Sequence, residues 1–356
     1  MTVTTPAKIL ESVAAEKIRG EAFQAEVERN LTKKQQDIIH RHGWLNMYVP
    51  REYGGLELSF PEILRTEESL SWADGSTAWV VTLCSGASWF IGFLDPGLAR
   101  EIFTNTKTCF AGSGAVTGTA NKTHAGYAIN GYWHHATGAL FADVFTVNCK
   151  VLNDGIQLVN ENGEPVVISF LLKKSEVIVH ETWNAMGMIS TGSHALEVKN
   201  KLIPLNRAFT ISPSNAFLKH PIYQYPFLQL AEATLSVNLS GMVSRFLELS
   251  SEIILKRERR NQVLDESTAL LSSLRAEFFL KTDAAWETLL TQSRIPDPLL
   301  SDVSDVSHRL AGGCRKVIND LYPLCGLAAA DTRSEINRVW RNFHTAAQHA
   351  LFRPNK

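Results

Sequence analysis

Residues 340–350 read Trp340-Arg341-Asn342-Phe343-His344-Thr345-Ala346-Ala347-Gln348-His349-Ala350. Apolar residues recur at Ile336, Val339, Trp340, Phe343, Ala347, Ala350 and Leu351. That spacing predicts an amphipathic helix over 331–352. At about 100° per residue, His344 falls at the edge of the apolar stripe. His349 falls off it, on a polar face with Arg338, Asn342 and Thr345. By residue type alone both are ordinary boundary histidines, yet both carry a ring that titrates near neutrality.

Working back from this helix, the chain reads as helical from Pro221 onward. Helices are expected at 222–261, 265–292 and 301–322, with Pro296 and Pro298 breaking one connection and Asp331 starting another. Four long helices with short links predict an antiparallel bundle. Before it, from Lys107 to Phe209, the pattern alternates. Gly126–Trp133, Val144–Val147 and Val166–Leu172 are separated by Asn-Gly and Asn-Asp-Gly turns. That is the signature of an antiparallel sheet. Residues 5–42 read as one or two polar helices ended by Gly43. Pro61 opens a helix through Trp72, Asp74 caps the next, and Pro96 starts a short one to Phe103. The expected division is 1–106, 107–212 and 213–356: an all-α domain, a β domain and a four-helix bundle.

The 356 residues are enough for two or three such units. A net charge of −1 gives no global field that would draw nucleic acid or an anionic membrane. The uncharged run Gly75–Leu94 is long enough to span a bilayer, but its Ser and Thr content predicts a buried helix instead. Five scattered cysteines without a CxxC fit free thiols in a reducing cytoplasm. The first residues carry no apolar core of a signal peptide. No metal site is expected. His134 and His135 are adjacent, and in a strand they should point to opposite faces.

Several motifs together resemble the acyl-CoA dehydrogenase superfamily. Gly43-Trp44-Leu45-Asn46-Met47-Tyr48-Val49-Pro50-Arg51-Glu52-Tyr53-Gly54-Gly55 resembles its P-x-x-Y-G-G turn. Asp74-Gly75-Ser76-Thr77-Ala78-Trp79 and the closing W-R-N-x-H-T-A-x-x-H-A run are similar to its flavin-dependent monooxygenase branch. The order α domain, β domain, four-helix bundle is the superfamily's own architecture. The resemblance implies FAD or FMN as cofactor, loosely held and supplied already reduced by a partner reductase. It implies a small aromatic or heteroaromatic substrate and a homo-oligomer, tetramer or dimer.

The resemblance also assigns roles. His349 matches the branch's active-site base, while the position of the dehydrogenases' catalytic glutamate is Ala350. Near the end of a helix the backbone dipole would favour imidazolium, so this base needs burial to stay neutral. Gly131-Tyr132-Trp133-His134-His135-Ala136-Thr137-Gly138 resembles G-R-W-x-F-x-S-G, which puts the Thr137 hydroxyl by flavin N5. Ser113 and Ala115, in a glycine-rich run, match a segment lining the flavin's pyrimidine side. Trp183, Thr191 and Ser193 match the W-x-x-x-G-M-R-G-T-G-S loop beside the isoalloxazine, with Ile189 where the family has Arg. The dehydrogenase R-x-x-F-G and Q-x-x-G-G-x-G motifs are missing. Lys256–Asn261 and Asp320–Gly326 stand in their places, and the basic residues of the first are either phosphate contacts or a solvated face. Two other readings remain open: a dehydrogenase whose base is Glu232, and an inactive binding or assembly protein keeping the fold.

Overall fold

The structure, a computed structural model, describes residues 5–257 and 260–353. It opens with α1 (Ser12–Glu28), α2 (Lys33–His42), α3 (Phe60–Ala73), α4 (Gly75–Ser88) and α5 (Pro96–Phe103). Their starts follow local chemistry. Thr32 and Ser59 each form a capping box, and the Asp74 carboxylate accepts from Thr77 N at 2.9 Å. Gly43 ends α2 at φ +66°. In the Tyr-Gly-Gly turn the backbones pack so closely that a Cβ on Gly55 would lie 2.0 Å from Val49 O.

The middle of the chain is one sheet: β1 (Phe110–Thr123), β2 (Gly126–Ala136), β3 (Val144–Asn153), β4 (Ile156–Gln157), β5 (Val167–Lys173), β6 (Ile178–His180), β7 (His194–Ile203) and β8 (Ala208–Phe209). Its order is β6-β7-β2-β1-β3-β5-β8, with β4 beside β3. The pairings are antiparallel except for β1 and β3, which run parallel. The alternation that marks a strand says nothing of its neighbour's direction. A sheet was therefore readable, and this parallel pair was not.

The C-terminal part is α6 (Phe227–Leu255), α7 (Gln262–Gln292), α8 (Asp297–Leu321), the single turn α9 (Leu327–Ala330) and α10 (Glu335–Ala346). The helix expected over 331–352 is shorter than its apolar spacing. It closes at Ala346, and a 3-10 turn over Ala350–Phe352 follows. Its polar face is not a solvent face: Asn337, Arg338 and Asn342 are all buried. A buried ion pair, Arg275 Nη2 to Glu68 Oε2 at 2.7 Å, ties α7 to α3.

Helix α4 is the axis on which the parts meet. It is the uncharged run of the sequence, and 83% of the most apolar window of Gly75–Phe93 is buried. At its start, a Cβ on Gly75 would meet Met242 of α6 and Asn342 of α10. One turn on, Trp79 meets His349, ring centroids 6.0 Å apart. Further along, Cys84 Sγ lies 3.7 Å from the Thr137 carbonyl.

A candidate active site where helix and sheet meet

The loop from Thr182 to Ser193 joins β6 to β7 and carries Trp183, Thr191 and Ser193 of the residues singled out in the sequence. Its node is the Met188 carbonyl. Trp183 Nε1 donates to it at 2.8 Å and Thr191 Oγ1 at 2.9 Å. The Ser193 hydroxyl lies 2.7 Å from Thr191 Oγ1 and 2.9 Å from Thr137 Oγ1. Gly138 N donates to Thr191 O at 2.9 Å, which locks the end of β2 to the same loop. Thr137, Ser193 and Thr191 are buried, while Trp183 keeps part of its ring open. The result is a half-open indole beside a buried chain of three hydroxyls.

The loop is clamped from two helices. Met188 sits at φ +53°, in the left-handed region that costs a side-chain-bearing residue of order 1–2 kcal/mol. Its N–H donates to Asn342 Oδ1 at 2.7 Å, and Arg341 Nη1 donates to Met186 O at 2.7 Å. A Cβ on Gly187 would lie 2.0 Å from Arg341 O, so loop and helix backbones touch. From α1, Arg29 Nη2 donates to Trp183 O at 2.5 Å. The Arg-Asn pair of the closing motif thus docks the Trp183 loop onto α10. The motif's spacing gave no hint of that role.

His349 lies just beyond α10. Burial, then the nearby charges of Arg353 and His135, push its imidazole below its ordinary pKa. The helix ends at Ala346, before His349, and burial is the largest influence on the ring. Leu351 N also donates weakly to Nδ1, at 3.4 Å, which suits the neutral ring. His344 faces elsewhere: its ring packs on Trp340 at 4.4 Å, and its Nε2 is buried without a partner.

His135 is the residue that sequence reasoning missed. The expectation that His134 and His135 take opposite faces fails because His135 sits at φ +64°, inside a register shift of β2 between Trp133 and Ala136. The bulge breaks the alternation and leaves both rings exposed. The His135 ring meets the Trp183 edge at 5.7 Å. His194 was also unread. It is buried, and its Nδ1 accepts from Trp183 N at 3.1 Å.

The other named residues lie apart from this group. Ser113 and Ala115 stand at the register shift of β1, where Ser113 Oγ accepts from Ala115 N at 3.4 Å. Among the described contacts, neither reaches Thr137, Trp183 or Thr191. Glu232 is buried on α6, and its partners are both on α8: Ser304 Oγ at 2.6 Å and His308 Nε2 at 3.1 Å. His308 also borders an open cavity of about 600 Å³ lined by Lys281, Asp302, Arg309, Phe352 and Arg353. Of the basic stretch, Glu258 and Arg259 lie outside the described residues. Arg257 approaches the second substituted motif, 3.6 Å from where a Cβ on Gly326 would sit.

With this geometry in view, comparisons with known proteins are informative. The family profile "Acyl-CoA dehydrogenase, N-terminal domain" matches residues 7–92, and "Acyl-CoA dehydrogenase, C-terminal domain" matches 225–354. The chain is 27% identical over 339 residues to the indole-3-acetate monooxygenase of Pseudomonas putida, covering 91% of this chain and 84% of that one. It is 25% identical over 363 residues to the flavin-dependent monooxygenase oxygenase subunit HsaA of Mycobacterium tuberculosis, covering 95% and 90%. In fold it is similar to XiaF from Streptomyces sp., solved with FADH2 and glycerol, at a TM-score of 0.87 and 20% identity over 98% and 92% of the two chains. The chain belongs to the acyl-CoA dehydrogenase family, on the branch of its flavin-dependent monooxygenases.

Proposed function

We propose that this chain is the oxygenase component of a two-component monooxygenase, taking reduced FAD or FMN from a separate reductase and hydroxylating a small aromatic or heteroaromatic substrate. The observation that carries the reading is the hydroxyl chain from Thr137 to the carbonyl that holds Trp183. A flavin requires a flat apolar face and a few directed polar groups at the edge of its ring system. The half-open Trp183 indole and the buried Thr137 hydroxyl, joined through Met188 O, Thr191 and Ser193, offer these two kinds of group. Ser113 and Ala115 would reach the same group from the register shift of β1.

When bound, the reduced flavin supplies the chemistry that activates oxygen. The protein's own residues do the rest. Trp183 and Thr137 orient the ring. Trp79, packed on His349, closes the helix side against water. His349, kept neutral by burial, takes the proton of the substrate. A dehydrogenase reading would need a carboxylate at Ala350 or a free Glu232. The first is absent, and the second is engaged by Ser304 and His308.

The three-part division at 106 and 212 belongs to this reading and is supported by the change from helix to strand between Phe103 and Phe110. A homo-oligomer is supported by large apolar side chains left open at Leu280, Leu290 and Leu327. A cytoplasmic place is supported by five free, buried cysteines. The deciding experiment supplies chemically reduced flavin, oxygen and a panel of indoles and phenols. Hydroxylated product whose new oxygen derives from O2 is expected. Peroxide as the sole product with every compound, together with no measurable flavin binding, would overturn the reading.

A further inference from the structure

The three hydroxyls between Met188 and Thr137 have a direction that follows from counting protons. Met188 O is a carbonyl and only accepts, so Thr191 Oγ1, at 2.9 Å, spends its single proton there. The contact between Thr191 and Ser193, at 2.7 Å, must then be donated by Ser193. That spends the Ser193 proton, so the 2.9 Å contact to Thr137 must be donated by Thr137. At the end of the chain the Thr137 oxygen has no proton left to give and keeps lone pairs that can accept. The Trp183 indole N–H also donates to Met188 O, at 2.8 Å, so that carbonyl is the common acceptor at which the chain begins.

Resting on the flavin reading above, we propose that Thr191 and Ser193 are positioning residues that fix Thr137 as an acceptor, so that the site selects the reduced flavin over the oxidised one. A reduced flavin carries a hydrogen on N5 and donates there. An oxidised flavin has a bare N5 that needs a donor. Thr137 in its relayed state satisfies the first and opposes the second. Discrimination between redox forms is thereby placed two hydroxyls back from Thr137, in a loop residue whose own proton is committed to Met188 O. An oxygenase component benefits directly, because it must capture reduced flavin from its partner and release the spent oxidised form.

The experiment compares affinities rather than turnover. Wild-type protein, Thr191→Val, Thr191→Ser and Ser193→Ala are titrated with oxidised FAD and FMN, and anaerobically with the same flavins after reduction. Wild type is expected to favour the reduced form by about tenfold or more, the scale of one well-placed hydrogen bond. In Thr191→Val, Ser193 loses its acceptor and turns its proton toward Thr137, which frees the Thr137 proton for a ligand. The ratio should fall toward one. Ser193→Ala should do the same, and Thr191→Ser should restore the wild-type ratio. Val has the shape of Thr, and unchanged melting temperatures would confirm that folding is not the variable.

Flavin binding with the same redox ratio in wild type and Thr191→Val would overturn the relay and leave the flavin site standing. A ratio lost equally in Thr191→Ser would also overturn it, since the hydroxyl would then not be the cause. Absence of binding of either form by wild type would overturn the flavin reading itself.

Discussion

Replacing His349 by Ala removes the residue that the proposed mechanism uses as base. Loss of a positioned acid–base group costs about 10²–10⁴ in rate, which is about 3–5 kcal/mol of barrier. The side chain is partly buried and touches Trp79 and Phe352 by its edge, at 6.0 and 6.5 Å between ring centroids. Edge contacts of this kind contribute about 0.5–1.5 kcal/mol each. The variant should therefore still fold, with a modestly lower melting temperature. The pH dependence gives a second and sharper reading. A base works when deprotonated, and burial, Arg353 and His135 push His349 below its ordinary value of 6.5. Activity should fall on acidification with a midpoint below that value. Arg353→Met removes a positive neighbour, which raises the pKa of the ring and moves the acid limb to higher pH. The assay is product formation in single turnovers with reduced flavin, followed from neutral to acid pH in all three proteins. His344→Ala should be much milder, since its ring packs on Trp340 away from the hydroxyl chain. Retention of rate within a few-fold in His349→Ala, with the acid limb unmoved, would refute the assignment.

Other consequences concern the frame around the site. Glu67 is fully buried on α3, and burial, only partly offset by the Thr82 hydroxyl, holds its carboxyl well above the usual carboxylate range. A folded-state pKa raised above the unfolded one means that the folded protein holds a proton the unfolded chain releases. Stability is then full below the unfolded value and declines as pH rises toward the folded one. Glu67→Gln should be more stable than wild type at neutral pH, with the difference vanishing in acid; identical pH slopes in urea unfolding would contradict this. Asn342→Leu orphans Met188 N and should cost about 1–3 kcal/mol, while Asn342→Asp keeps an acceptor. The Trp183 contribution to fluorescence, taken as a difference against Trp183→Phe, should shift in the first and not in the second. Glu232→Gln should leave hydroxylation within a few-fold, since its partners are on α8. Acyl-CoA oxidation by wild type that this substitution abolishes would hand the chemistry to Glu232.

The sequence carried the fold where the chemistry was local. Asp74 caps α4, Gly43 ends α2, and Asn153-Asp154-Gly155 turns β3 into β4, because each depends on a few neighbouring residues. Asn130-Gly131, read as a turn, lies instead inside β2, at one of its register shifts. The apolar spacing of the last helix, by contrast, overran its true end at Ala346. Spacing records which side is buried and does not record where the backbone leaves the helix. The parallel β1–β3 pair was invisible for a related reason, since direction is set by a connection and not by a strand. At the site, Thr137, Thr191, Ser193 and Trp183 were named from motifs, and the structure brings them into one bonded group. Their order in that group depends on a loop fold that no spacing encodes. His135 was misread because an unforeseen bulge reverses its side, and Asn342 because its partner lies 154 residues away.

The most direct test of the account is a crystal structure grown anaerobically with reduced FAD or FMN. The isoalloxazine ring is expected against Trp183, with its N5 within hydrogen-bond distance of Thr137 Oγ1 and His349 facing the space beside it. A structure in which side chains fill the junction of Thr137, Trp183 and His349, with flavin elsewhere or absent, would contradict it.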